Sequence, residues 1–532
     1  MFSTTISGAL QGVEGLLLQV EVDVSNGLPC LEMVGLLGSE VKEARERVRA
    51  AIKNLGIAIP PKRILVNLSP ANVRKAGTAY DLPIAIGILK SMGVLPMDCT
   101  KNMLLLGELG LDGTVKPVTG VLPILVRAKK EQIKLCVVAK ENAQEAQLLQ
   151  DIEVYGVETM AQLFAFLKKE SSLSPVVQSP FPTALYEEEA CFEQIIGQQS
   201  GKRAALISAA GGHNLLFVGS PGTGKTMLAK AIPSILPPLQ REEQLEVASI
   251  LSAQGKFYQN NVQNVQNIQI EKRPFIEVHH SATIHTLIGG GMLPKPGAMT
   301  LAHKGVLFLD ELPEFKRVVL DAMRQPLEDG KITFFRSGLF YTFPADIMLV
   351  AAMNSCPCGY YPDKNKCRCL PGQVRKYVSH ISGPLLDRID VVAETLPVRK
   401  GEKMTAKHLA KVGEKEMTSA AMKSKVINAR EIQKNRYRQL FSERMGNLET
   451  KGYRCNGNLN SKELEKICVL DTAANSLLAK LKDTFDFSQR ANGSLLKVAR
   501  TIADLEEEEW IKEEHLAEAA SYRLGFERYF YG

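Results

Sequence analysis

The sequence predicts an α/β protein of several domains arranged round a nucleotide-phosphate cradle. Three observations carry the prediction. The chain has 532 residues, too many for one hydrophobic core, and divides at roughly 100–200 residues per domain into three or four. Strand-like runs alternate with helical runs over its first third and again beyond residue 214, the pattern of sheets covered by helices. Residues 214–232, NLLFVGSPGTGKTMLAKAI, pass from an apolar strand through a glycine-rich loop into a helix.

Taken in order, residues 1–168 set strand-like LLLQVEVDV, ILVNLSP, LCVVA and IEVYGV among helical SEVKEARERVRAAIKNLG, DLPIAIGILKSMG and ENAQEAQLLQ, which predicts a compact α/β domain. Its segments KAGTAYDLPIAIGIL at 75–89 and LLGELGLDGTVKPVTGVLPILVRAKK at 105–130 resemble the Lon-protease-type domain, a ribosomal S5 domain 2-like fold. That family cleaves peptides with a Ser-Lys dyad. Here Asp81 stands near the serine's place and Leu122 near the lysine's, so nucleophile and activating amine are both missing. The expected role is therefore binding or assembly. Residues 169–185, rich in Ser and Pro and without apolar periodicity, read as a linker.

In the cradle itself, Gly219, Ser220, Pro221, Gly222, Thr223, Gly224, Lys225 and Thr226 fit G-x-x-x-x-G-K-[ST], followed by Met227. Small residues let successive backbone N–H groups face phosphates, where the positive end of the helix also points. Lys225 is expected on the β/γ phosphates of ATP and Thr226 on Mg²⁺. Further on, VLFLDE at 306–311 is a buried strand ending in two carboxylates. Asp310 is expected in the Mg²⁺ shell and Glu311 beside the attacking water. IMLVAAMN at 347–354 reads as another core strand, ending in Asn354, and SGPLLDRID at 382–390 carries Arg388.

The ordered series RPF…HHSAT, GGGMLPKPGAMTLAHKGVLFLDELPEF, RQPLEDG, AAMNSCPCG, SGPLLDRID and LLKVARTIADL resembles the magnesium-chelatase-like AAA+ ATPases of the YifB/ComM family over essentially the whole chain. The resemblance implies a Lon-like domain over 1–168, an AAA+ P-loop core over 186–397 and a C-terminal helical lid over 398–532. It further implies that Ile196, with Gly197 and Gln198, lies beside the adenine and that Asn354 orients the water. Arg388 becomes an arginine finger for the neighbouring subunit of a ring, most simply a hexamer; the bland alternative is an ion pair with Asp387 or Asp390. Arg490, in the amphipathic FSQRANGSLLKVARTIADL, becomes the second sensor. Two departures stand out. Ser494 occupies a place where a second arginine is expected, which leaves the sensor open between Arg490 and Arg500, and Ser355 follows the sensor asparagine in place of proline.

Cys356, Cys358, Cys367 and Cys369 give C-x-C-x₈-C-x-C, two close thiol pairs across a turn-rich loop, a spacing that suits one Zn²⁺; the rival reading is a set of reduced thiols. KITFFRSGLFYTF at 331–343 predicts a hairpin, with Lys331 and Arg336 placed to meet DNA phosphates and Phe334, Phe335 and Phe340 to pack or stack. The stretch 273–296, with His279, His280 and Gly289-Gly290-Gly291, looks too polar and glycine-rich for core and suggests a pore element. A net charge of +7 is modest, but Arg399–Arg444 holds 13 Lys/Arg against 5 Asp/Glu, either a solvated face or a nucleic-acid contact. With no basic leader or long apolar run, a cytoplasmic protein with reduced thiols is expected, and no membrane partner.

An ATP-driven ring that translocates or branch-migrates single-stranded or branched DNA, as in natural transformation, follows from these features and the resemblance. The alternative is a chelatase-type motor driving metal insertion with a partner. Such partners carry a D-x-S-x-S motif, which this chain lacks.

Overall fold

Phe2–Gln11 form a strand that the hydrophobic pattern conceals, because its inward positions include Ser3, Thr5 and Ser7. Ser3 Oγ donates to the Gly87 carbonyl at 2.7 Å and Thr5 Oγ1 to that of Pro83 at 3.0 Å, which makes burial of these two hydroxyls tolerable, whereas the buried Ser7 Oγ has no hydrogen-bond partner among the described residues. The computed structural model describes the chain except residues 72–73, 178–189, 257–271, 337, 364, 398–416, 442–454, 486–487 and 531–532. Two units result, Met1–Ala184 with Gln244–Ile270, and Leu185–Glu243 with Glu271–Gly532. Residues 244–256, which fall within the core expected over 186–397, thus group with the first unit. Of the expected linker 169–185, residues 178–185 lie outside the described residues.

The first unit is built on a seven-stranded mixed sheet in the order Cys30–Val34, Arg63–Ser69, Glu14–Ser25, Phe2–Gln11, Met103–Leu105, Leu135–Ala139, Glu153–Val157. Helices Ser39–Asn54 and Asp81–Ser91 form where their apolar periodicity places them, 141–150 yields only the short helix Ala143–Ala146, and a further helix, Val121–Lys130, lies in the stretch that carries the Lon-type resemblance. Every residue of Asp81–Ser91 is buried. Asp81 is tolerated there because Arg47 donates to its two oxygens at 2.6 and 3.0 Å and the Leu109 N–H adds a third bond at 3.1 Å. Leu122 is also fully buried. The place expected of a nucleophile thus holds a structural ion pair. Arg47→Ala would strand a buried carboxylate, at an expected cost of about 3–5 kcal/mol. Calorimetry should show this as a lower melting temperature for the first unit, and an unchanged melt would refute it.

The second unit has a five-stranded, wholly parallel sheet in the order Phe275–Val278, Val306–Leu309, Met348–Met353, Leu215–Gly219, Val391–Thr395. Its strands read as continuous apolar runs because helices cover both faces. Phe217, Phe308 and Val350 share one core with residues of Gln199–Gly211, Lys225–Ile235, Ser419–Phe441 and Gln489–Leu505. The stretch 273–296 is therefore not all surface. Phe275–Val278 is an edge strand of this sheet, Arg273 bonds Glu243 at 2.8 Å, and only Gly289–Gly290 and Lys295–Pro296 form a separate small ribbon. Charge flanking a four-residue strand hides it from periodicity.

Candidate nucleotide-hydrolysis site

Open parallel sheets bind ligands beyond the carboxyl ends of their strands, and four of these five strands deliver the motif residues there. Leu215–Gly219 runs into the phosphate loop, and helix Lys225–Ile235 starts at its far end. Gly222 and Gly224, at φ +75° and +87°, hold backbone conformations that side chains rarely adopt. Thr395, on the neighbouring strand, seals the base: its Oγ1 lies 2.7 Å from Thr223 Oγ1, and a Cβ at Gly219 would fall 2.3 Å from Thr395 oxygens.

Lys225 is buried, and its Nζ donates to the carbonyls of Gly219 at 2.8 Å and Ser220 at 2.9 Å and to Asn354 Oδ1 at 3.1 Å. Burial pushes its pKa below the usual lysine value, against the pull of Asp310 and Glu311. Thr226 Oγ1 donates to Asp310 Oδ2 at 2.8 Å. A hydroxyl and a carboxylate meeting at one point form the oxygen donor set a hard divalent cation takes. Glu311 follows at φ +52°, a left-handed conformation rare outside glycine, and its carboxylate is exposed. His280, at the end of Phe275–Val278, comes within 3.4 Å of Glu311 Oε2. The phosphate-loop residues, Asp310, Glu311 and Asn354 are thus brought together. Ile196 and Met227 stand at the surface, 46% and 49% exposed, and Gln198 anchors the approach by donating to the Leu396 carbonyl at 2.6 Å.

Arg388 makes neither of the ion pairs that were the alternative to the arginine finger. Arg523 takes Asp387 at 3.2 Å, while His213 and Ser494 take Asp390. Instead Arg388 reaches Glu328 Oε2 at 2.5 Å and donates to the Pro384 carbonyl at 2.6 Å, leaving its buried Nε without a partner. Arg490 holds the other oxygen of Glu328 at 2.8 Å. The hydrogen bond from Arg490, then that from Arg388, keep the Glu328 carboxyl below its usual pKa. Arg500, by contrast, is fully buried against Asp504 and the carbonyls of Glu508 and Glu509, so it is committed to the interior of the helical region. Glu328 was legible only as the acid of RQPLEDG, with no role attached.

The four cysteines meet. Cys356 Sγ lies 3.3 Å from Cys358 Sγ and 3.8 Å from Cys367 Sγ, Cys358 and Cys367 are 3.6 Å apart, and all four sulfurs fall within 4.8 Å of one another. Backbone N–H groups of Tyr360 and Arg368 push the Cys358 thiol down to about 6. All ten cysteines are free of disulfides. Lys331–Arg336 and Leu339–Pro344 form the expected hairpin, pairing Phe335 with Phe340. Phe334 packs on Phe343 at 5.8 Å, but Phe335 and Phe340 are 60% and 65% exposed with rings 4.8 Å apart. Of the basic stretch, 399–416 and 442–444 lie outside the described residues. On Ser419–Phe441, Arg430 bonds the Ala209 carbonyl and Arg436 the buried Asp504, so part of that charge is structural. No helix among the described residues is long and apolar enough to cross a membrane.

A parallel sheet in this order, with a phosphate loop after strand Leu215–Gly219 and paired acids after strand Val306–Leu309, defines an AAA+-like nucleotide-binding protein. Comparison with known proteins places it further. Models for the magnesium chelatase subunit ChlI match residues 191–404, those for subunit ChlI of Mg-chelatase residues 20–142, and those for the ChlI C-terminal region residues 416–523. The chain is 42% identical to competence protein ComM of Haemophilus influenzae over 527 residues, 97% of this chain and 96% of the relative. It is 41% identical to YifB of Escherichia coli over 520 residues, with the same coverage. Lon protease 2 of Bacillus subtilis matches over 191 residues at 27% identity, 33% of this chain and 34% of that protein. The chain belongs to the YifB/ComM family of magnesium-chelatase-like AAA+ proteins, a family that points to ATPase activity with ATP and Mg²⁺.

Proposed function

We propose that this protein is an ATP-hydrolysing DNA motor that assembles as a hexameric ring and branch-migrates recombination intermediates, as in natural transformation. Within it the 1–168 domain, lacking a peptidase dyad, serves binding or assembly, and 398–532 forms the lid. Thr226 and Asp310 hold Mg²⁺, which neutralises phosphate charge when bound. Lys225 steadies the β/γ phosphates, Glu311 takes the proton of the attacking water, and Asn354 orients that water. Arg388, with Arg490 beside it on Glu328, faces the adjoining subunit's nucleotide.

The observation that carries the DNA half is the hairpin. Two large aromatic rings exposed side by side cost hydrophobic free energy unless something covers them, and bases are flat partners for them. Lys331 and Arg336 on the same strand supply phosphate contacts. The competence-protein relative supports the biological setting. Phe335→Ala with Phe340→Ala is expected to weaken single-stranded DNA binding by about 10-fold or more, at ~1–3 kcal/mol per stacked base, with little change in melting temperature because both rings are exposed. Fluorescence anisotropy would show it. The decisive assay gives the full chain ATP, Mg²⁺ and a labelled four-way junction. A protein that neither binds the junction nor moves it overturns the reading. The chelatase-type alternative draws support from the family models, and ATPase activity indifferent to DNA would favour it.

A further inference from the structure

We propose that Cys356, Cys358, Cys367 and Cys369 bind one structural Zn²⁺, and that the loop they close is a buttress of the phosphate loop, so that metal occupancy sets nucleotide affinity. A tetrahedral site with Zn–S bonds of about 2.3 Å separates its sulfurs by about 3.8 Å, and the measured pairs lie at 3.3, 3.6 and 3.8 Å. A disulfide would bring two of them to about 2.05 Å. Cys356 is fully buried and the other three half-buried, so a cation there is enclosed by sulfur. The loop is built to converge on that point. Gly359 N donates to the Cys356 carbonyl at 2.9 Å, Cys367 N to that of Asp363 at 2.8 Å, and Tyr361 N to Cys356 Sγ at 3.4 Å, the kind of N–H···S contact that favours thiolate.

The same loop touches the cradle at two places. Asn354, two residues before Cys356, accepts from Lys225 Nζ, and Ser355 Oγ fixes its neighbour by donating to the Tyr361 carbonyl at 2.6 Å. Gly359, at φ +83°, lies so close to Pro221 of the phosphate loop that a Cβ on it would fall 2.4 Å from Pro221 Cδ. Among their described hydrogen bonds, Cys367 and Cys369 make none to either place. They reach the cradle only by clamping the Cys356–Gly359 turn through the metal. Release of that clamp frees the turn, and with it Asn354 and the support behind Pro221. The clamp's effect on nucleotide rests on the nucleotide-binding reading, whereas metal binding does not.

The experiment counts zinc per chain by elemental analysis of the full-length protein and measures fluorescent ATP-analogue binding in the same samples. Wild-type protein should hold one zinc. Cys367→Ser with Cys369→Ser should hold almost none and bind the analogue about 5-fold more weakly or worse. Should that variant fail to fold, wild-type protein stripped by a chelator and then restored with stoichiometric Zn²⁺ gives the same comparison reversibly. Gly359→Ala should keep its zinc and still lose affinity, because it disturbs the contact and not the site. Wild-type protein with well under one zinc per chain even after zinc reconstitution overturns the site, as does iron in its place. Full zinc loss with affinity unchanged within twofold overturns the buttress. A protein that binds no nucleotide but holds zinc leaves the site standing and sinks the nucleotide reading.

Discussion

Lys225→Ala is expected to lower ATP turnover by at least about 10²–10³-fold, the loss seen when one preorganised donor to a reacting group is removed. Its Nζ has three acceptors, the carbonyls of Gly219 and Ser220 and Asn354 Oδ1, all at the rim of the same cradle. Burial has stripped the ammonium of much of its water and lowered its pKa, so phosphate oxygens would find a cation already desolvated and aimed. Arginine should not rescue, because a planar five-donor fork does not fit the single point where three acceptors converge. Phosphate-release kinetics and a melting curve on the same preparation separate chemistry from folding. Turnover within tenfold of wild type would remove Lys225 from the site.

The phosphate loop was legible because its chemistry is local. Glycines at positive φ, a lysine and a hydroxyl follow one another within eight positions, and the apolar strand before them fixes which way they face. The four cysteines were legible for the same reason. Glu328 was not, since its meaning depends on Arg388, 60 residues away, and on Arg490 beyond that, and no spacing rule joins an acid in a helix to two distant cations. His280 was seen as a polar residue of a glycine-rich stretch, and only the strand order brings it to Glu311. The strand Phe2–Gln11 was missed because hydroxyls fill its inner face, where hydrogen bonds to Pro83 and Gly87 do the work that apolar side chains usually do. The sequence left Phe334, Phe335 and Phe340 open between packing and stacking, and the structure separates them: Phe334 packs on Phe343, while Phe335 and Phe340 touch each other on an exposed face. Alternation along a two-stranded ribbon says which residues share a face, but not whether that face is covered.

Arg388→Ala should abolish hydrolysis by the assembled ring, by about 10³–10⁵-fold if it acts as an arginine finger, while leaving ATP binding close to wild type. Within one chain Arg388 is held by Glu328 and the Pro384 carbonyl, and among its described contacts none is to the phosphate loop or the paired acids. Its Nε is buried without a partner, so the guanidinium is not fully satisfied where it rests. Sharing Glu328 with Arg490 also gathers two positive groups on one carboxylate, an arrangement that an approaching triphosphate could relieve. A mixing experiment separates action between subunits from action within one. Glu311→Gln subunits keep Arg388 but cannot activate water, and Arg388→Ala subunits keep a whole nucleotide site but lack the finger. In a head-to-tail ring formed from equal amounts of each, about one interface in four joins a live site to an intact arginine. Turnover should return to roughly that fraction of wild type if sites fire independently, although each variant alone is inactive. If the mixture stays as inactive as its components, Arg388 works within its own subunit, and the ring is not what completes the site.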